Sequence, residues 1–245
     1  MSYELKNIRK FERFYLMKFG EWNILRIDRI KEVGAYLTDG TEDVLLPHKQ
    51  LPQGVEEGDN LKVFVYRDSK DRPIATTRTP LITVGEVKRL KVKSVGTIGA
   101  FMDCGLERDV LLPFREQTVE VKQEKSYLVR MYVDKTGRLA VSMKLDSVLQ
   151  GNDKYKSGDH VTGTVYSYNK DIGAFVAIDD TYKGLIHKSE IYDTIYVGDV
   201  VECRVVKVRE DGKTDLSMRD AIPQQMEKDA EMVYDVIKSY NGSFY

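Results

Sequence analysis

Short alternations of apolar and polar residues recur along this chain, separated by turns rich in glycine, aspartate and asparagine. In the segment 61–66 (Leu-Lys-Val-Phe-Val-Tyr), the aliphatic side chains occupy every second position. Because side chains alternate between the two faces of a β-strand, this pattern predicts short strands with one face buried. About five such strands fall in each of three successive segments, 17–78, 82–144 and 155–219.

One motif marks the three segments as copies of each other. A Gly-Ala pair followed by an aromatic residue begins at Gly34, Gly99 and Gly173, and an apolar doublet follows each about ten residues later. The second copy begins 65 residues after the first (99 − 34), and the third 74 residues after the second (173 − 99). A repeat of this length indicates a small domain used three times rather than a stacking solenoid unit.

Five short antiparallel strands leave two open edges unless the sheet closes, and the five-stranded OB-type barrel closes at this size. The sequence therefore predicts an all-β chain of three OB-type barrels: 1–80 (with a charged leader), 81–146 and 155–220. The small Gly-Ala pair suits a sharp barrel corner. The aromatic residue after it either fills the core or stands on the outer face. If Ala174 and Val176 point inward, Phe175 points outward.

The net charge of −1 argues against a globally basic nucleic-acid binder. The charge is nevertheless uneven. Segment 82–144 holds 12 Lys and Arg against 8 Asp and Glu, a net of +4, whereas segment 155–219 holds 9 against 11, a net of −2. The second copy is the electropositive one, and this local excess matters more than the total.

Sequence motifs for catalysis are missing. The three histidines stand in unrelated settings, no His-Glu-x-x-His occurs, and Lys207 occupies the position where a phosphate loop ending at Gly212 needs glycine. We therefore expect no catalytic residue, metal, cofactor or small-molecule substrate. No run of eighteen apolar residues predicts a membrane span. Two isolated cysteines and an N-terminus without a secretory signal favour a reduced, cytoplasmic setting.

The third copy resembles the S1 RNA-binding domain family, most specifically in Gly184-Leu-Ile-His-Lys-Ser-Glu190. The second copy looks like the same domain with Pro113 in place of His187, and the first is the most diverged. The resemblance implies binding of single-stranded RNA, with bases stacked on outward aromatic side chains and phosphates met by cations.

Carried over residue by residue, the resemblance gives a set of candidate RNA-binding residues. In the family the aromatic falls on Phe175 and the histidine on His187. A further family aromatic is replaced by Ile172, and the family's loop Asp and Arg fall on Arg209 and Lys213. The candidates of the third copy are Tyr166, Tyr168, Phe175, His187 and Lys213, the two tyrosines being expected on one strand face.

The second copy retains the other half of the family pattern. Segment 134–138 (Asp-Lys-Thr-Gly-Arg) matches the family's loop, so its candidates are Phe101, Asp134 and Arg138. Lys91 and Lys93 are added because they alternate with Arg89 on one predicted strand face. The competing interpretations are a solvated strand face and, for Arg138, a turn ion pair with Asp134.

Residues 221–245 change to a helical pattern after Pro223. Three S1-like units followed by such a helix are similar to the conserved virulence factor B family of bacterial regulators, whose members carry a C-terminal winged helix. On this resemblance, 221–245 is the start of a truncated winged-helix domain.

The leading functional hypothesis is a non-enzymatic bacterial regulator that binds single-stranded RNA with low sequence specificity. The alternatives are a protein-interaction scaffold built from OB-type barrels and an RNA-presenting subunit of a processing complex.

Overall fold

The computed structural model describes residues 16–68, 70–219 and 232–238. It confirms three closed five-stranded barrels. The expected leader lies outside the described residues apart from Leu16. Of the predicted C-terminal segment, 232–238 forms a short helix, α1, and the rest lies outside. The winged-helix assignment therefore stays a prediction.

Barrel 1 closes in the strand order β1-β2-β3-β5-β4. A short 3-10 helix, His48–Gln50, follows its third strand. The strands are β1 (Trp22–Lys31), β2 (Gly34–Thr38), β3 (Asp43–Pro47), β4 (Asn60–Arg67) and β5 (Pro73–Thr76).

Barrel 2 repeats this cyclic order, with a 3-10 helix at Phe114–Glu116. Its strands are β6 (Val87–Val95), β7 (Gly99–Met102), β8 (Val110–Pro113), β9 (Ser126–Val133) and β10 (Leu139–Ser142).

Barrel 3 has the same order again, with a 3-10 helix at Lys188–Glu190. Its strands are β11 (His160–Asn169), β12 (Gly173–Ile178), β13 (Tyr182–His187), β14 (Val200–Val208) and β15 (Thr214–Ser217). In each barrel the third and fifth strands pair in parallel and close the sheet.

The interior of each barrel is filled by the apolar side chains that point inward from every second strand position. Fully burying one aliphatic side chain contributes about 1.5–3 kcal/mol, so a set of nine or ten supplies the main stabilisation of so small a barrel. The barrel 3 core consists of Val161, Val165, Ala174, Val176, Ile178, Ile186, Val201, Cys203, Val205 and Leu216.

The repeated glycine has a steric cause. Gly34, Gly99 and Gly173 have φ values of 145°, 151° and 136°, which side chains rarely adopt. At Gly173 a Cβ atom would also overlap the carbonyl oxygen of Ile186 on the neighbouring strand. The glycine is therefore required by close strand approach at the start of each second strand.

The chain divides into two compact units. Unit 1 contains barrel 1 with segments 93–114 and 130–142. Unit 2 contains segments 87–92 and 115–129 and everything after 142, including barrel 3.

Candidate nucleic-acid interface

The strand register of barrel 3 places Phe175 on the outer face, as the alternation predicts. Its neighbours Ala174 and Val176 are both 0% exposed in the core. Phe175 pairs with Leu185, which pairs in turn with Asp215 across the parallel junction. Directly paired residues share a sheet face. Phe175, Leu185 and Asp215 therefore form one row across strands β12, β13 and β15.

A cleft of about 400 Å³ opens over this row, and we call it the barrel-3 cleft. It joins an apolar surface to three cationic side chains, one on strand β13 and two from the β14–β15 loop. This is the composition that single-stranded nucleic acid needs, a ring for a base and cations for phosphates. The lining residues are Asp146, Tyr166, Ile172, Phe175, Lys183, Gly184, Leu185, Arg209 and Lys213.

Arg209 is held over the cleft by Asp215. Its Nε donates to Asp215 Oδ2 at 3.1 Å and its Nη2 donates to Oδ1 at 2.7 Å. The hydrogen bonds to the carboxylate raise the pKa of Arg209 above its ordinary value. A bidentate pair fixes the plane of the guanidinium group, so Asp215 positions this cation.

His187 lies beside this pair rather than in the lining of the cleft. Its Nε2 is 3.1 Å from Arg209 Nη2 and 3.3 Å from Asp215 Oδ1. Its Nε2 accepts a hydrogen bond from Arg209 when that nitrogen carries no proton and donates one to Asp215 when it does. In either form His187 contacts the Arg209–Asp215 pair.

The two tyrosines of strand β11 do not share a face, and this prediction was wrong. The pairing register shifts between Val165 and Ser167, a bulge centred on Tyr166. Tyr168 consequently pairs with the core residue Ala174, whereas Ser167 pairs with Phe175. Tyr168 is 44% exposed and lies away from the row that contains Phe175.

Tyr166 borders the cleft but is only 3% exposed. Its hydroxyl donates to Asp146 Oδ1 at 2.8 Å, and its ring packs with Leu128, Leu145 and Leu149. Burial and the Asp146 carboxylate raise the pKa of Tyr166. Tyr166 therefore supports the wall of the cleft, and its ring is not open to a stacked base.

On the outer face of barrel 2, the two candidate lysines already form ion pairs with carboxylates. Phe101 is half-buried and lies over Gly96, where a Cβ atom would be 3.3 Å from the ring. Lys91 and Lys93 both point outward, as the alternation predicts. Lys91 pairs with Glu124 at 2.5 Å, and Lys93 pairs with Asp109 at 3.1 Å and with Asp103 at 3.4 Å. Exposed pairs of this kind are weak and can be exchanged for phosphates.

The loop of barrel 2 that matches the family pattern is engaged within unit 1. Asp134 accepts hydrogen bonds from the Thr136 hydroxyl and from the backbone N–H of Arg138, and these outweigh burial and lower its pKa. Arg138 does not pair with Asp134, the alternative the sequence left open. Its guanidinium group binds the carboxylate of Asp71, in the corresponding loop of barrel 1.

A second arginine ties the same two loops together. Arg67 donates to the Gly137 carbonyl at 3.2 Å and to the Asp71 carbonyl at 2.6 Å. The Arg138 guanidinium group lowers the pKa of Asp71. We call the Asp71–Arg138 pair with Arg67 the loop latch.

Sequence reasoning missed two residues that matter here. Lys183 lies two positions from Leu185 and four from His187 on strand β13, so the alternation alone could have placed it on their face. Asp71 gave no such signal, because its role depends on how barrel 1 meets the 134–138 loop.

Other chemistry is sparse in the described part of the chain. There, no group of three His, Cys, Asp or Glu residues is arranged to hold a metal ion. No described helix is long and apolar enough to cross a membrane. Cys104 and Cys203 are free and buried, and burial raises the pKa of Cys203 to about 12.

Three closed OB-type barrels in succession define a tandem OB-fold protein, and comparison with known proteins specifies its family. The family model "S1 domain" matches residues 19–78 and 84–144. The model "Virulence regulatory factor CvfB, second domain" matches residues 146–220.

Curated relatives point the same way. YitL of Bacillus subtilis is 31% identical, across 93% of this chain and 79% of the relative. Conserved virulence factor B of Staphylococcus epidermidis is 27% identical, across 85% and 74%. The chain belongs to the conserved virulence factor B family.

A solved structure shows the same fold. It is a multidomain protein with nucleic acid binding domains from Streptococcus pneumoniae, at a TM-score of 0.58 and 22% identity. The match covers 93% of this chain and 82% of that chain.

Proposed function

We propose that this chain is a non-enzymatic regulator that binds single-stranded RNA through the barrel-3 cleft and acts on transcript fate or translation. One observation carries the proposal: Phe175 shares a cleft with Lys183, Arg209 and Lys213. A base stacked on the Phe175 ring contributes about 1–3 kcal/mol, and the three cations supply phosphate contacts at the same place.

The chemistry of the cleft favours low sequence specificity. Its wall offers an aromatic ring and the aliphatic side chains of Ile172 and Leu185, which accept any base, whereas base discrimination requires directed hydrogen bonds. Phosphate contacts release counterions, so with three contacts the logarithm of the binding constant should fall with a slope of about −2 against the logarithm of salt concentration.

Membership of the conserved virulence factor B family and the S1 domain matches support this proposal. The Streptococcus pneumoniae protein, which has the same fold, contains nucleic acid binding domains.

Barrel 2 is proposed as a secondary contributor. Phe101, Asp134 and Arg138 follow the family pattern, and Lys91 and Lys93 add cations. Because Arg138 is bound to Asp71 and both lysines have carboxylate partners, RNA must displace these pairs before it gains the contacts. In barrel 3 Arg209 and Lys213 are also paired, with Asp215 and Asp211, but Lys183 has no ion-pair partner among the described residues. We therefore expect barrel 2 to add less affinity than barrel 3.

The test is fluorescence anisotropy of a labelled oligouridine at two salt concentrations. Phe175→Leu keeps apolar packing against the cleft wall but removes the ring, and Lys183→Ala removes one cation. The matched control is Lys156→Ala, an exposed lysine of barrel 3 outside the cleft. We expect roughly 5-fold or greater weakening for Phe175→Leu and little change for the control.

Unchanged affinity in Phe175→Leu and Lys183→Ala would reject the cleft as the site. If wild-type protein fails to bind RNA even at low salt, the protein-scaffold alternative takes its place. The loop latch is the observation that favours that alternative, since it shows a barrel loop holding a protein carboxylate.

A further inference from the structure

Unit 2 contains another cleft of about 400 Å³, separate from the barrel-3 cleft. Its walls come from the 119–127 segment, from Arg89 on strand β6 and from the turn 196–199 that precedes strand β14. The two clefts have no lining residue in common. We call this one the Tyr196 cleft.

The Tyr196 cleft has the same two kinds of chemistry as the first. Tyr196 lines the cleft and is 66% exposed. Three cations line the cleft against two carboxylates. They are Arg89, Lys122 and Lys125, against Glu120 and Asp199.

The charged side chains that line the Tyr196 cleft differ in whether they already have a partner in the protein. Asp199 Oδ2 accepts the backbone N–H of Tyr196 at 2.8 Å, which fixes the turn that presents the ring. Arg89 Nη2 donates to the Gly198 carbonyl at 2.9 Å, so the cation is held beside that turn. Within the described ranges, neither Lys122 nor Lys125 forms an ion pair. Both ammonium groups are therefore available to an anionic ligand.

The walls of the two clefts are connected through Tyr166 and the residue before it. The Tyr166 ring borders the barrel-3 cleft, and its carbonyl accepts a hydrogen bond from the Thr118 hydroxyl at 3.4 Å. Thr118 precedes Val119, which lines the Tyr196 cleft. On the other strand edge, Gly198 N–H donates to the carbonyl of Val165, the residue before Tyr166, at 2.8 Å. Gly198, which lines the Tyr196 cleft, is therefore bonded to the residue next to Tyr166, which lines the barrel-3 cleft, and this adjacency brings both clefts within reach of one oligonucleotide.

We propose that the Tyr196 cleft is a second subsite for the same single-stranded RNA, in which a base stacks on Tyr196 and phosphates meet Lys122 and Lys125. This inference rests on the proposed function and deepens it, because it assigns a longer RNA footprint than the barrel-3 cleft alone. An acidic peptide would match the lysines, but every nucleotide of RNA brings a stacking base together with a phosphate, so RNA is the better fit.

The experiment compares a uridine tetramer with a uridine dodecamer on the full chain, by anisotropy. The test variants are Lys122→Ala/Lys125→Ala and Tyr196→Ala. The controls are Lys49→Ala/Lys70→Ala, which removes the same charge from barrel 1, and Tyr192→Ala, another exposed tyrosine of barrel 3 outside both clefts. Phe175→Leu reports on the barrel-3 cleft.

We expect the test variants to weaken dodecamer binding about 5- to 10-fold, to leave the tetramer unchanged, and to flatten the salt dependence in the lysine variant. With a 4-thiouridine dodecamer, the cross-linked peptide should contain Tyr196.

Three results would overturn the second subsite while leaving the proposed function intact. They are a dodecamer affinity that only Phe175→Leu lowers, equal weakening by the barrel 1 lysine control, and poly-glutamate binding that Lys122→Ala/Lys125→Ala abolishes without affecting RNA. If wild-type protein binds neither oligomer, the proposed function fails and the subsite fails with it.

Discussion

Barrels 2 and 3 have the same strand order but different outer faces. In barrel 3 the outer row is Phe175, Leu185 and Asp215, whereas the same register positions in barrel 2 hold Phe101, Leu111 and Ala140. The aromatic and the leucine are retained. The third position changes from a carboxylate to a methyl group.

The loop that precedes this position also differs between the two barrels. The loop closes with the same backbone hydrogen bond in both barrels, from Asp134 N–H to Arg138 O and from Arg209 N–H to Lys213 O, each at 2.8 Å. In barrel 3 Asp215 binds Arg209 and holds it over the outer face of the same barrel. In barrel 2 Asp134 stands at the position of Arg209 and Ala140 at that of Asp215, so the pair has no counterpart there, and Arg138, at the position of Lys213, binds Asp71 of barrel 1. A shared fold thus yields one open cleft and one engaged loop.

The largest expected effect is a loss of stability at the repeated glycine, which tests whether barrels 2 and 3 depend on it equally. Gly99→Ala and Gly173→Ala should each destabilise the chain by at least about 2 kcal/mol, because both combine a positive φ with overlap against a neighbouring carbonyl oxygen. Urea unfolding followed by circular dichroism measures this. Gly54→Ala, with a φ of 76° and no atom within 4 Å, should cost about 1 kcal/mol. Similar losses at all three glycines would contradict the steric argument.

The second prediction contrasts the two aromatic residues. Phe175→Leu should weaken binding of oligouridine roughly 5-fold or more, and Phe101→Leu by about 2-fold or less, since Phe175 lines a cleft with three cations, of which Lys183 has no ion-pair partner among the described residues. Anisotropy titrations under identical salt give both numbers. A larger effect at Phe101 would reverse the assignment of the main site.

The third prediction concerns a variant that breaks the Asp71–Arg138 pair of the loop latch. Asp71→Asn should strengthen RNA binding about 2- to 5-fold, because it frees Arg138 for a phosphate at the cost of one weak exposed pair. The gain should vanish when Arg138→Ala is added, as a double-mutant cycle would show. A gain that survives Arg138→Ala would mean that only the lost negative charge mattered.

The smallest expected effect is a change in the pKa of Asp71. Arg138 lowers the folded-state pKa of Asp71, so the stabilisation from their contact is present above the ordinary Asp pKa of about 3.9 and is lost as the pH falls through the lowered value. Carboxyl-detected NMR should find the Asp71 pKa shifted upward in Arg138→Ala. An unchanged pKa would show that the pair does not persist in solution.

Much of this architecture could be predicted from the sequence because it follows from local alternation. Three barrels, the outward Phe175 and the outward lysines of strand β6 all follow from a period of two between glycine turns. The same rule failed for Tyr166 and Tyr168, since one inserted residue at a bulge reverses the alternation and leaves no mark in the residue types.

The partners of side chains were the least predictable feature. Asp215 lies 6 residues from Arg209, but His187 lies 22 residues from it, and the closed register brings the three together. Arg138 was expected to meet a phosphate or Asp134, yet its partner lies 67 residues away in another barrel. Such pairs depend on how whole barrels meet, which strand patterns do not specify.

The loop latch has a consequence for ion release. An RNA phosphate that takes Arg138 from Asp71 releases the cations condensed around that phosphate, as other phosphate contacts do. The exchange also leaves the Asp71 carboxylate without its partner, so that carboxylate attracts a cation from solution. The net release of cations is therefore smaller than at Lys183, which forms no ion pair within the described ranges, and the contribution of Arg138 to RNA affinity would depend less on ionic strength.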